Sequence, residues 1–227
     1  MSLTSGRGPL SAHPAGRFVP PVPAATVYVE PFRRRVRGVA GGRTVVDSER
    51  VLLVHRGGGP PTYAFAAGDV RDAGGVAAEP EPAAPGHLRI PWDAVDAWFE
   101  EEERVHLHAS NPYHRVECLR SARRLRVEVA GVVLVDTAET VAVYETALEP
   151  RLYVRAEHVR PGLLVRGETT TFCPYKGHAT YWTAVAGGER MEDVAWSYED
   201  PLPAATPLRG HLSFDAGRAG VLAELPS

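Results

Sequence analysis

A chain of 227 residues, 44% hydrophobic and 23% charged, is long enough for one large domain or two small ones and has the composition of a folded globular protein. A formal net charge of −3 supplies no general field for nucleic acid, and no apolar run approaches the length of a membrane span. Two cysteines, Cys118 and Cys173, are too few for a disulfide framework, and no Cys-x-x-Cys pair offers a structural zinc site. No secretory signal is evident, so a reduced, cytoplasmic setting is the expectation. The 22 glycines and 20 prolines fall between short apolar runs, which favours many short strands joined by turns.

In chain order, residues 1–25 are rich in Ser, Gly, Pro and Ala and read as a flexible tail that orders only by lying across the body. Arginines cluster at Arg33–Arg37 and again at Arg120–Arg126. Each cluster precedes an alternating apolar segment, as on a solvated strand face. Val36–Val70 and Leu125–Val159 then align without a gap, 89 residues apart. Both pass a small turn (Gly41–Gly42, Ala130–Gly131) to reach an aspartate after an apolar pair (Asp47, Asp136), and both go on to a second strand and an aromatic one. After the first copy, Pro91 and the apolar residues Val95, Trp98 and Phe99 predict a short helix ending in the acidic run Glu100–Glu103. Gly86-His87-Leu88 matches Gly210-His211-Leu212, but the second copy takes about 35 more residues to arrive there. The extra stretch predicts a hairpin around Gly187–Gly188. The predicted organisation is therefore a tail (1–25), a first, shortened copy (26–105) and a second, complete copy (106–227), mostly β with one short helix.

Three clusters carry candidate chemistry. In the connector His106-Leu107-His108-Ala109-Ser110-Asn111-Pro112-Tyr113-His114-Arg115, His106 and His108 would share one face of an extended segment, the spacing of a two-histidine metal pair. No third ligand motif accompanies them, and surface or hydrogen-bonded imidazoles fit the pattern as well. His108 and His114 are also candidates for acid–base work, since imidazole titrates near neutrality. In Cys173-Pro174-Tyr175-Lys176-Gly177 a lysine on a shaped turn could favour thiolate, or could itself act as base or anion clamp. A cysteine packed as a small hydrophobe beside a solvated lysine is the alternative. Tyr181, Trp182, Trp196 and Tyr198 are aromatic residues on paired strands that could line a pocket or form core. No phosphate loop, dinucleotide fingerprint or Gly-x-Ser-x-Gly elbow is present.

With these motifs in place the chain resembles the family known as domain of unknown function four-two-seven. The resemblance rests on His108-x-x-Asn111-Pro112-Tyr113-His114-Arg115-Val116-Glu117, on Tyr144-Glu145-Thr146 with Pro150-Arg151-Leu152-Tyr153, on Cys173-Pro174-Tyr175-Lys176-Gly177, and on Ala195-Trp196-Ser197-Tyr198. It implies a β-tent (Mss4-like) fold of small coiled antiparallel sheets, here in two tandem units and without the zinc cysteines of that fold's metal-bearing relatives. The family more often has Asp where Asn111 and Glu117 stand, and a Gly-Leu-Pro turn where this chain reads Ala147-Leu148-Glu149-Pro150. The nucleotidyltransferase label sometimes attached to the family finds no paired metal-binding aspartates here.

The expectation from these readings is a cofactor-independent enzyme acting on a small organic molecule by acid–base chemistry, of isomerase, lyase, cyclase or hydrolase type. The site would lie between the connector and the extra hairpin. His108, His114, Lys176, Cys173 and Tyr198 are the catalytic candidates; Tyr113, Arg115 and, from the aromatic cluster, Trp182 and Trp196 would bind substrate, joined through the resemblance by Glu145, Arg151 and Tyr153. No metal, cofactor, nucleic acid or membrane partner is expected, and the oligomeric state stays open. The alternative is a non-catalytic module whose aromatic hairpin cages a small ligand.

Overall fold

The computed structural model describes residues 6–23, 25–71 and 75–225, and the chain divides into two compact units, Met1–His114 and Arg115–Ser227. The division falls after the connector histidines rather than after residue 105. The reason is packing: Ala109 is fully buried in the core of the first unit and holds the connector there.

In the first unit the strands are β1 (Tyr28–Phe32), β2 (Val36–Ala40), β3 (Arg43–Ser48), β4 (Val51–His55), β5 (Thr62–Ala66), β6 (Glu79–Pro80), β7 (His87–Arg89), β8 (Ala97–Glu100) and β9 (Glu103–Val105). They form two antiparallel sheets, ordered β1-β4-β5-β7-β6 and β3-β2-β8-β9. Their apolar faces meet in a core containing Val36, Val46, Leu53, Tyr63, Phe65 and Trp98. Trp98 lies parallel to Phe65 with centroids 5.8 Å apart and donates its indole N–H to the Trp92 carbonyl at 3.0 Å. Its ring occupies the space over Gly38, where a Cβ would stand 3.0 Å from the indole. The helix expected after Pro91 is a single 3-10 turn, Trp92–Ala94, and the residues meant for its apolar face belong to β8. There the alternation buries Trp98 and Glu100 together, a period of two rather than of 3.6. Residues 1–5 and 24 of the expected tail lie outside the described residues, while 6–23 run as turns, bends and irregular chain, with the Leu10 carbonyl close to Gly57.

In the second unit the strands are β10 (Val116–Ser121), β11 (Leu125–Val129), β12 (Val132–Thr137), β13 (Thr140–Glu145), β14 (Arg151–Arg155), β15 (Leu164–Cys173), β16 (Gly177–Ala186), β17 (Glu189–Ser197), β18 (His211–Phe214) and β19 (Gly220–Ala223). A seven-stranded sheet, β10-β13-β14-β18-β17-β16-β15, accompanies a three-stranded one, β12-β11-β19. Leu125, Val127 and Val129 face the core while Arg126 and Glu128 remain half-exposed, the alternation of a half-buried strand. The expected hairpin is β16–β17, turned at Gly187 and Gly188, both with positive φ (61° and 82°), as a two-residue hairpin turn requires.

The repeat seen in the sequence recurs in the elements. Strands β2 to β5 each begin 89 positions before β11 to β14, and the pairings β1–β4–β5–β7 have their counterpart in β10–β13–β14–β18. A register shift interrupts β2–β3 after Gly38 and β11–β12 after Val127, the matching place. The shared aspartates also do the same thing. Asp47 accepts two guanidinium bonds from Arg35 (both 2.7 Å), and Asp136 accepts two from Arg124 (2.7 and 2.8 Å). These bonds hold both carboxyls below the ordinary aspartate value of 3.8. A depressed folded-state value makes the stabilisation complete above the unfolded value and withdraws it as pH falls through the folded one. Thermal melts of wild type should therefore lose stability below about pH 4, and the double variant Asp47→Asn/Asp136→Asn should show a shallower acid limb. An unchanged acid limb would remove these pairs from the account.

Candidate functional site

The second unit contains a cavity of about 320 Å³, and the strand pattern explains its lining. Tyr181 on β16 pairs with Trp196 on β17, so both rings stand on the same face of the sheet, and Tyr198, two residues further on, joins them. Arg151 and Tyr153 are successive same-face residues of β14, opposite Val143 and Val141 of β13. Glu145 ends β13 two residues beyond Val143. Lys176 sits in the turn between β15 and β16, where its carbonyl accepts the Leu202 N–H at 3.0 Å. Gly177 closes that turn with φ +99°, and a Cβ there would meet the Asp200 carbonyl at 3.3 Å, so glycine is required. Leu148, Glu149 and Asp215 complete the wall.

The electrostatic centre is an ion pair between the Lys176 ammonium and the Glu145 carboxylate, whose side chains are only 10% and 9% exposed. The ammonium also lies 5.9 Å from the Tyr198 ring centroid. Arg151 lies over the Trp196 ring at 5.1 Å, and the Trp196 indole N–H donates to the Tyr153 hydroxyl at 3.0 Å. Burial pushes both the Tyr153 and Tyr198 phenols well above the ordinary value of 10.0, with Glu145 adding a smaller push. Both are thus neutral O–H groups, able to donate to an oxygen that gains charge.

Glu145, Arg151, Tyr153, Lys176, Trp196 and Tyr198 are therefore brought together from the sequence-based set. Cys173 is half-buried and packs against the cluster formed by Val141, Val143 and Tyr153. Cys118 packs there too, and burial holds its thiol above the ordinary value, against a partial pull from Lys176. Trp182 does not join them. One residue from Tyr181, it projects from the opposite face, donates to Ser197 Oγ at 2.9 Å and lines a separate depression with Leu164 and Leu212.

Of the connector candidates, His106, His108, Tyr113 and His114 belong to the first unit. Asn111 accepts the Tyr113 N–H through its side chain at 2.9 Å and the His114 N–H through its carbonyl at 3.1 Å, which makes it a turn former. The Tyr113 hydroxyl donates to Glu30 at 2.8 Å, and the other Glu30 oxygen is 2.9 Å from the fully buried His55 Nε2. Tyr113 is thus a structural anchor in that unit, a role no local motif signals because Glu30 lies 83 residues away. His108 places Nδ1 2.8 Å from the Ala109 carbonyl oxygen, and burial lowers its proton affinity. Arg115, the first residue of the second unit, is 71% exposed and pairs with Glu117 at 2.6 Å. Among the described residues no group of three or more His, Cys, Asp or Glu side chains is placed to hold a metal ion.

Residues 117–224 match the model of a family described as a domain of unknown function (DUF427). No curated protein matches the chain. The DUF427 segment runs from β10 to just beyond β19, and every residue lining the cavity lies inside it. Five lining residues of this segment, Val143, Leu148, Glu149, Tyr181 and Asp215, are not among the catalytic and binding candidates read from the sequence, although Tyr181 belongs to the aromatic cluster named there. Strict alternation along β16 and β17 identifies Tyr181, since it must share the face of Trp196. Val143 faces the cavity from β13 beside Glu145, whereas Leu148, Glu149 and Asp215 come from loops and strand ends, where no periodicity operates.

Proposed function

We propose that the second unit is an acid–base catalyst acting on a small carbonyl compound, with the Glu145–Lys176 pair as its centre. The observation that carries this reading is a nearly buried carboxylate–ammonium pair in an aromatic cavity that also holds two neutral phenols. Glu145 takes a proton from the carbon next to the carbonyl. The C–H electron pair becomes the new C=C bond, and the carbonyl π pair moves onto oxygen. The O–H groups of Tyr153 and Tyr198, with the Lys176 ammonium, carry the resulting negative charge. Return of the proton to the same carbon gives exchange, its return to the γ-carbon of a β,γ-unsaturated compound gives isomerisation, and where the β-carbon bears a leaving group, that group departs with its bonding pair as the carbonyl re-forms, which is elimination. The side chains supply every proton acceptor and donor that these steps need.

Caging of a cationic ligand fits less well, because the aromatic faces of Trp196 and Tyr198 already have Arg151 and Lys176 against them. We further infer that the two units are diverged copies of one β-tent (Mss4-like) unit, supported by the matched strand order, register shifts and Arg–Asp pairs.

The catalytic reading is tested by proton NMR of small ketones and oxo acids incubated with the protein in deuterated water. Wild type should accelerate loss of the α-proton signal. Glu145→Gln should slow it by about 10²-fold or more, the usual contribution of a positioned base. Undiminished exchange in a folded Glu145→Gln variant would remove Glu145 from this role.

A further inference from the structure

The cavity contains two cations in different situations. Lys176 is paired with Glu145, whereas the Arg151 guanidinium makes no hydrogen bond or ion pair to any described residue. Its position is nevertheless fixed. The guanidinium lies over Trp196 at 5.1 Å, and Trp196 is itself tethered by its N–H to Tyr153. Contact with an indole is no hydrogen bond, so it leaves the forked N–H donors of the guanidinium available to a ligand. A fork of that kind matches the two oxygens of a carboxylate. Of the two other carboxylates in the wall, Asp215 has Arg218 at 3.6 Å, which offsets its charge, and Glu149 is exposed to solvent.

We propose that Arg151 binds a carboxylate of the substrate, so that the cavity takes a small oxo acid rather than a neutral ketone or an amine. This rests on the acid–base reading for the carbonyl end, while the carboxylate end stands on Arg151 alone. Arg151 and Tyr153 are successive same-face residues of β14, so their Cα atoms lie about 6.8 Å apart along the strand. A carboxylate on one and a carbonyl oxygen on the other suit a molecule whose two groups are separated by one to three carbons. The volume of about 320 Å³ leaves room beyond these groups for a ring or a branched chain against Tyr181 and Leu148.

The probes are levulinate (4-oxopentanoate), pentan-2-one and pentanoate, titrated calorimetrically against wild type, Arg151→Met and Arg151→Lys. Wild type should bind levulinate at least about 10-fold more tightly than pentan-2-one, the value of one good charge-assisted contact. Arg151→Met should abolish that preference, and Arg151→Lys should keep only part of it, because an ammonium lacks the fork. Arg151 is exposed, so both variants should fold, as thermal melts will show. Equal levulinate affinity in wild type and Arg151→Met overturns the proposal, as does the lack of saturable levulinate binding up to about 50 mM. The two readings fail separately. Levulinate selectivity that depends on Arg151, with exchange that ignores Glu145, keeps the carboxylate site and removes the base; exchange that needs Glu145, with affinity indifferent to Arg151, does the reverse.

Discussion

Replacing Lys176 with methionine should destabilise the second unit by about 3–5 kcal/mol, the loss expected when one partner of a buried ion pair is removed. Both side chains are about nine-tenths buried, so solvent screens the pair only weakly. The ammonium disappears while the carboxylate keeps its poor solvation, and the penalty is that of a nearly buried carboxylate deprived of its lysine rather than the net worth of the pair. Removing both charges together should behave differently. The double variant Lys176→Met/Glu145→Met should recover most of the lost stability, because two apolar side chains of similar volume need no compensation there. It should show no exchange activity at all. Denaturant melts of the single and double variants, read beside exchange rates, separate what the pair does for folding from what it does for chemistry. A Lys176→Met protein as stable as wild type would show that the ammonium is not what neutralises Glu145.

The other large effect belongs to the first unit. Trp98→Ala should cost about 3–5 kcal/mol, as for other large aromatic truncations in a core. Trp98 is only 2% exposed and touches Phe65, Tyr63 and Trp92, so its removal empties the centre of that unit. Hydrogen exchange should locate the loss in β2, β5 and β8. The second unit places Val127 opposite Val221 where the first places Gly38 opposite Trp98. One unit sets a small residue against a very large one and the other sets two of middle size, so the summed volumes are close. If the units are copies, Gly38→Val with Trp98→Val should be better tolerated than Gly38→Val alone, whose side chain would meet the Trp98 ring. Tolerance of Gly38→Val by itself would contradict that packing.

Much of this architecture is legible in the residues, and the failures have physical causes. The turns at Gly41–Gly42 and Gly187–Gly188 need positive φ, and the paired aspartates Asp47 and Asp136 each have an arginine fork to receive, so local chemistry announces them. The segment after Pro91 misleads because Val95, Trp98 and Phe99 fit a helical spacing, while the partner that makes it a strand, β2, lies some 60 residues earlier. Glu100 likewise reads as the start of the acidic run that ends the helix. It is buried among donors that compensate its charge: Tyr63 at 2.5 Å and Arg34 at 2.5 Å, both from distant segments, and the Ser110 N–H at 3.0 Å, ten residues on. For the site, Lys176 and Tyr198 stand out through their motifs, and the family resemblance supplies Glu145, Arg151 and Tyr153. The placing of Trp182 beside them fails on the pleat alone: adjacent residues of one strand face opposite ways.

The four tryptophans allow the most direct test of where the chemistry lies. Of Trp92, Trp98, Trp182 and Trp196, only Trp196 lines the cavity. Their indole N–H resonances can be followed in proton–nitrogen correlation spectra while a compound whose α-proton the protein exchanges is titrated in. The Trp196 signal, assigned with Trp196→Phe, should move saturably, with a midpoint matching the concentration dependence of exchange, while those of Trp92 and Trp98 stay in place. A stationary Trp196 signal during saturable turnover would put the reaction outside this cavity and contradict the account.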